Sequence, residues 1–180
     1  WFLVTCADFE PWIEACLESI DAQDHDELGL LIALDGPRDR SRQIVEACAS
    51  RFEGIRDVRL HVHEERRGKV QRVVELMEEL RFRPHDIVAF VDGDDRLIHP
   101  QAARRMEREF ERGADVAWSN FIYKLPRSEG LAGRAGLCRA IPEGFDPYAS
   151  EYVTSHLFCF RAADFFTIEP TNFDDAEGRR

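Results

Sequence analysis

The chain has 180 residues, a net charge of −11, and apolar and charged fractions of 44% and 33%, the balance of a soluble globular protein long enough to build one full core. Such acidity argues against nucleic acid as a main partner, because phosphate binding would want a basic stripe. The five cysteines, Cys6, Cys16, Cys48, Cys138 and Cys159, are dispersed and include no C-x-x-C, so neither a disulfide framework nor a zinc site is suggested and a reducing compartment is the simplest reading.

Trp1 to Cys6 reads as a first strand, and Pro11 to Gln23 as a helix whose apolar face carries Trp12, Ile13, Cys16, Leu17 and Ile20. Leu28 to Leu34 is a second apolar run that stops at Asp35-Gly36-Pro37, and Ser41 to Phe52 has helical spacing through Ile44, Val45, Cys48 and Phe52. Val58 to His63 alternates like a half-exposed strand, and Lys69 to Leu80 is a third amphipathic helix. Ile87 to Val91 is a fourth strand, Pro100 to Arg112 a charged helix ending at Gly113 in a left-handed cap, and Val116 to Tyr123 a further strand. From Pro126 the periodicity fades into Gly, Pro, Arg and Ser, so 126–150 is a long loop. Structure resumes over Tyr152 to Arg161, followed by a short helix to Phe166.

Strands alternating with helices of this length predict an α/β fold, a three-layer sandwich with a mostly parallel central sheet. No linker divides it, so residues 1–180 read as a single domain. Because it opens inside a strand, it reads as truncated at both ends. No stretch reaches the ~18 apolar residues needed to cross a bilayer. A cytoplasmic protein is expected, with any membrane association made through regions outside this chain.

The most informative segment is Ile87-Val88-Ala89-Phe90-Val91-Asp92-Gly93-Asp94-Asp95. A buried strand that ends in carboxylates puts them at the carboxyl edge of the sheet, where open α/β sheets bind ligands. Gly93 leaves room for Asp92 and Asp94 to aim at one small volume. Two hard oxygen ligands without His or Cys suit Mg²⁺ or Mn²⁺, completed by water and substrate phosphates.

Several segments in order then resemble the family 2 glycosyltransferases, which have the GT-A, Rossmann-like fold of nucleotide-diphospho-sugar transferases. Cys16-Leu17-Glu18-Ser19-Ile20 with Gln23 is similar to the family's C-L-x-S-I-x-x-Q, and Leu34-Asp35-Gly36-Pro37-Arg38-Asp39 to its D-D-G-S-x-D. Arg67-Gly68-Lys69 resembles its N-x-G-K region and Asp92-Gly93-Asp94 its metal-binding D-x-D. The resemblance implies a metal-dependent inverting hexosyltransferase of polysaccharide or glycoconjugate synthesis. Its partners would be a nucleotide-sugar donor and a hydroxyl acceptor on a glycan, lipid or small molecule.

On this reading Asp92 and Asp94 hold the metal, and Asp35, Lys69, Asp92 and Gly93 contact the donor nucleotide. Asp35 ends a strand at the same edge and is placed to bind base or ribose; its plain alternative is a turn residue. Lys69 heads a helix, where free N–H groups and the dipole favour phosphate; the alternative is a solvated basic turn. Asn120 and His156 stand on the sugar and acceptor side by resemblance. His61 and His63 share a strand face, but they lack a third ligand and read as ordinary strand histidines. The general base is not identified: Asp174 and Asp175 are the nearest carboxylates to where the family draws it, in a context that does not match. Two other readings stay open, a haloacid-dehalogenase-type phosphatase with Asp92 as nucleophile, and a non-catalytic module that binds a sugar nucleotide.

Overall fold

In the computed structural model residues 1–122, 135–136 and 157–173 are described. Six strands form one sheet: β1 (Phe2–Cys6), β2 (Gly29–Asp35), β3 (Asp57–His63), β4 (Ile87–Asp92), β5 (Val116–Trp118) and β8 (Phe158–Arg161). Their order is β3-β2-β1-β4-β8-β5. The pairings among β1 to β4 are parallel, while β8 runs antiparallel to both β4 and β5. The sheet is therefore mostly parallel, as the alternation of elements requires.

Helices α1 (Ile13–Asp21) and α2 (Ser41–Ala49) cover one face, and α3 (Lys69–Glu79) with the short α5 (Ala162–Phe165) covers the other. The side-chain period of two along each strand decides which residues go where. Val4, Leu30, Ile32 and Leu34 meet Ile13, Leu17, Ile20 and Val45. Leu3, Leu31, Ala33 and Val88 meet Val73, Val74 and Met77 of α3, with Phe160 and Phe165. All seven residues of β2 are buried, and each large aliphatic side chain so placed contributes about 1.5–3 kcal/mol. Cys6, Cys16, Cys48 and Cys159 are buried free thiols, and burial raises Cys6 to a pKa of about 12.

Helix α4 (Ala102–Glu111) ends as its sequence predicts. Gly113 takes φ +97, its N–H donates to the carbonyl of Phe110 and the Ala114 N–H to that of Glu109, the paired bonds of a Schellman cap. The strand expected over Val116 to Tyr123 is instead broken after Trp118. There the Ser119 N–H and Oγ both bond Leu157 and the hydroxyl also donates to the Asn120 carbonyl, side-chain bonding of the kind that competes with a ladder. Beyond the break, β6 (Phe121–Ile122) pairs antiparallel with β7 (Ala135–Gly136). The rest of the 126–150 loop lies outside the described residues.

One consequence of the strand order positions the site. From β1 the chain steps outward through β2 and β3, then returns to lay β4 on the other side of β1. The carboxyl ends of β1 and β4 therefore lie side by side where the strand order reverses, with the loop after β4 against the loop after β1 at Gly93 and Phe9, and it is in the crevice at such an edge that an open α/β sheet binds ligands. Asp92, in register with Thr5, stands at that crevice.

Candidate functional site

Four loops meet at this edge, and the chain's own polar side chains stitch them together. In the loop after β1, the Phe9 N–H donates to Ser41 Oγ at 2.9 Å and the Glu10 N–H to Asp39 at 2.9 Å. Asp8 accepts from the Arg38 N–H and from the Arg66 guanidinium, both at 2.7 Å. Arg66 also donates to the carbonyls of Asp35 and Gly36, so one side chain joins the loops after β1, β2 and β3. Burial would raise the Asp39 carboxyl, but the Ser41 hydroxyl and the N–H groups of Glu10 and Ser41 outweigh it and hold its pKa below the usual value.

Asp35 ends β2 and is only 5% exposed. Its carboxylate accepts from the N–H groups of Arg67 and Gly68 at 2.9 and 2.8 Å and from Arg72 Nε at 2.7 Å. Burial pushes its pKa up, yet these donors more than offset that and leave it lowered. Asp35 thus holds the turn that carries Lys69; a ligand would meet only the lone pairs these three donors leave, of roughly four on a carboxylate. Arg72, 2% exposed, also reaches the Glu65 carbonyl at 2.6 Å and Glu75 at 2.5 Å.

That turn delivers Lys69 to the head of α3, where its ammonium pairs with Asp92 Oδ1. The acid of β4 and the base of α3, chosen separately from the sequence, are in contact. Gly68 adopts φ +95 and a Cβ there would meet nothing within 4 Å, so glycine is needed for the backbone angle alone.

Gly93 has a different reason. Its φ is not positive, but a Cβ would come within 2.8 Å of Phe9 Cδ2, 3.1 Å of Ile13 Cδ1 and 3.3 Å of Cys6 Cβ. The residue is small so that the acidic loop can lie against the loop after β1. Gly93→Ala is expected to cost roughly 1–3 kcal/mol, the range for forcing an added methyl into a packed site. Urea unfolding measures this; a loss under 0.5 kcal/mol, on the order of an ordinary surface change, would mean that Phe9 simply moves aside.

Helix α1 clamps the same loop from behind. Cys16 Sγ lies 3.6 Å from the Asp92 carbonyl, and Ser19 Oγ accepts from the Leu97 N–H at 3.0 Å. Gln23, 6% exposed, donates to the His99 carbonyl at 3.1 Å and accepts from the Ala103 N–H at 3.1 Å. Residues 16 and 19 share a face of α1 and Gln23 follows just past its end, so the three line the segment that follows Asp92.

Asp94 is exposed, and no group of three His, Cys, Asp or Glu able to hold a metal occurs among the described residues. Asp92 and Asp94 nevertheless fit a hard cation of the Mg²⁺ or Mn²⁺ kind, which takes one or two carboxylates and completes its shell with water and phosphate oxygens. The Lys69 ammonium on Asp92 shows that this oxygen already accepts a cation.

His61 pairs with Glu79 at 3.1 Å. His63 Nε2 is the buried side-chain nitrogen without a partner among the described residues; burial and then the Arg72 charge lower its pKa. Asn120 is exposed, just past β5. It lies at the same edge as Asp92 with β8 between the two strands, so on the order of 10 Å away at ordinary strand spacing. Phe158 and Phe160 pack in the core beside Phe90. His156, Asp174 and Asp175 lie outside the described residues.

The family model described as glycosyl transferase family 2 matches residues 1–159. No curated protein matches the chain in sequence. Among solved structures, S. aureus TarS 1–349 in complex with UDP is similar at a TM-score of 0.67 and 16% identity, over 92% of this chain and 47% of that one. The UDP-GlcNAc complex of TarS 1–349 gives 0.66 and 17%, over 92% and 46%. The mannosyltransferase PcManGT from Pyrobaculum calidifontis, in complex with GDP-Man and Mn²⁺, gives 0.50 and 22%, over 55% and 28%. At such identities the likeness is one of fold, and the chain spans about half the length of TarS 1–349.

Proposed function

This chain belongs to glycosyl transferase family 2, and from that premise we propose that it moves a sugar from a nucleoside diphosphate to an acceptor hydroxyl, with inversion at the sugar carbon, in polysaccharide or glycoconjugate synthesis. The observation that carries the reading is the meeting of Asp92 and Lys69 at the crevice beside β1. An acid for a cation and a base for a phosphate stand side by side where a diphosphate needs both. Neighbours solved with UDP, with UDP-GlcNAc, and with GDP-Man and Mn²⁺ support a nucleotide-sugar donor. Family membership displaces the phosphatase alternative, and residues 1–180 are read as one domain of this kind. No helix among the described residues is long and apolar enough to cross a membrane.

In this proposal Asp92 and Asp94 would hold Mn²⁺ or Mg²⁺, and the bound ion would supply positive charge beside the diphosphate leaving group. Lys69 binds a phosphate oxygen, aided by the N–H groups at the head of α3. Asp35 and Arg72 fix the turn beneath Lys69, and the side of Asp35 left open faces the nucleoside. Gly93 brings the acidic loop against Phe9 and narrows the crevice. Asn120 and His156 are assigned to the sugar and acceptor. Asp174 and Asp175 are the carboxylates to mutate first for the general base, whose effect on rate is typically about 10² to 10⁴.

Calorimetry with UDP, GDP, CDP and their sugars, each in Mn²⁺ and in EDTA, tests the proposal. One nucleotide is expected to bind in Mn²⁺ and only weakly in EDTA, because an acidic edge repels phosphate until a metal bridges them. Equal affinities in the two buffers would remove the metal–diphosphate site. Nucleotide binding without sugar transfer by the longer protein would favour a binding module.

A further inference from the structure

We propose that Lys69 is a resident counter-ion of Asp92 that a divalent ion has to displace, so that the site takes metal and diphosphate together and binds the bare ion poorly. The inference rests on the donor-binding reading above and concerns how that same site is loaded. Lys69 Nζ is on Asp92 Oδ1, with the two side chains 46% and 27% exposed. The pair is therefore open to exchange with solvent and ions. An ammonium and a divalent ion repel each other at one carboxylate oxygen, so one leaves when the other arrives.

The choice of residue points the same way. The sequence holds two lysines, Lys69 and Lys124, within a Lys plus Arg total of 24. Three carboxylates that tie loops together are met by arginines, Asp8 by Arg66, Asp35 by Arg72 and Glu10 by Arg40. A guanidinium fork locks a carboxylate in a fixed geometry, whereas an ammonium is a point charge on a flexible stem with three rotatable donors. At Asp92 the chain uses the cation that lets go most readily. Its base is fixed all the same, because Asp35 holds the N–H groups of Arg67 and Gly68 immediately before it. The side chain swings from a rigid pivot, and a diphosphate at the head of α3 gives the displaced ammonium a new partner.

The test measures Mn²⁺ binding without nucleotide, by the electron paramagnetic resonance of the free ion, for wild type, Lys69→Met and Lys69→Arg. The preformed Mn²⁺–pyrophosphate complex is then titrated into each by calorimetry. Lys69→Met is expected to bind bare Mn²⁺ about thirtyfold more tightly, the scale for removing one positive charge about 4 Å from a divalent ion in water. It is also expected to bind Mn²⁺–pyrophosphate more weakly than wild type. Lys69→Arg is expected to bind the bare ion no better than wild type. Unfolding midpoints of the three should agree, since Lys69 is half exposed. Bare-ion affinity unchanged or reduced in Lys69→Met, or raised in Lys69→Arg, overturns the counter-ion role even where Mn²⁺–pyrophosphate still binds wild type. Failure of all three proteins to bind Mn²⁺ with or without pyrophosphate overturns the inference and the donor-binding reading together.

Discussion

Asp92→Asn is expected to remove nearly all metal-dependent nucleotide affinity and to leave the fold standing. The side chain sits at the end of β4 and is 27% exposed, so the amide needs no repacking. Asp92 also shapes the loop through its main chain, since its carbonyl accepts from the Asp95 N–H at 2.9 Å and faces Cys16 Sγ, and Asn keeps that carbonyl. What changes is the charge. A neutral amide is a poor ligand for a hard divalent ion, and it frees Lys69 without giving phosphate its bridge. A loss of roughly a hundredfold in nucleotide affinity at saturating Mn²⁺ is expected, about 2.8 kcal/mol at 1.4 kcal/mol per decade. Calorimetry with the nucleotide that binds wild type best measures it, and a urea curve checks the fold. A variant within threefold of wild type would take Asp92 out of the site.

The sheet and the acidic edge were legible because both write themselves locally. A run such as Gly29-Leu30-Leu31-Ile32-Ala33-Leu34, all buried, is short and ends at Asp35-Gly36-Pro37, which favours an inner strand over a helix, and the run that ends at Asp92 reads the same way. Lys69 was legible as a helix head. That it meets Asp92 depends on where β4 returns in the sheet, which periodicity does not encode. Asp35 is legible as a strand-end carboxylate at the ligand-binding edge, whereas its part in holding the turn before Lys69 is not. The donors that occupy it lie more than 30 residues on, beyond any window on sequence. Arg72 has no role in a reading of Lys69 to Leu80 as an amphipathic helix. A signal existed: with Val73, Leu76, Met77 and Leu80 it falls on the buried stripe of α3, and an arginine on such a stripe with Glu75 three residues later calls for a buried partner.

The second large effect tests that partner. Arg72→Met is expected to destabilise the protein by about 3–5 kcal/mol, the range for removing one member of a buried ion pair. The two side chains are 3% and 7% exposed, so solvent does little to soften the loss. Asp35 would keep its bonds to the N–H groups of Arg67 and Gly68 but lose the charge that balances it, and the Glu65 carbonyl would lose its donor. The pH dependence separates this from a mere packing defect. Folding lowers the Asp35 pKa below its ordinary 3.8, so its stabilising contribution in wild type is present above that pH and fades as pH falls through the lowered value. In Arg72→Met burial gains on the remaining donors and the carboxyl pKa rises, so protonation relieves the variant where it weakens wild type. The gap between the two urea midpoints should narrow as pH drops from 6 to about 3. A gap that stays constant over that range would mean that Arg72 fills space beside Asp35 without holding its charge.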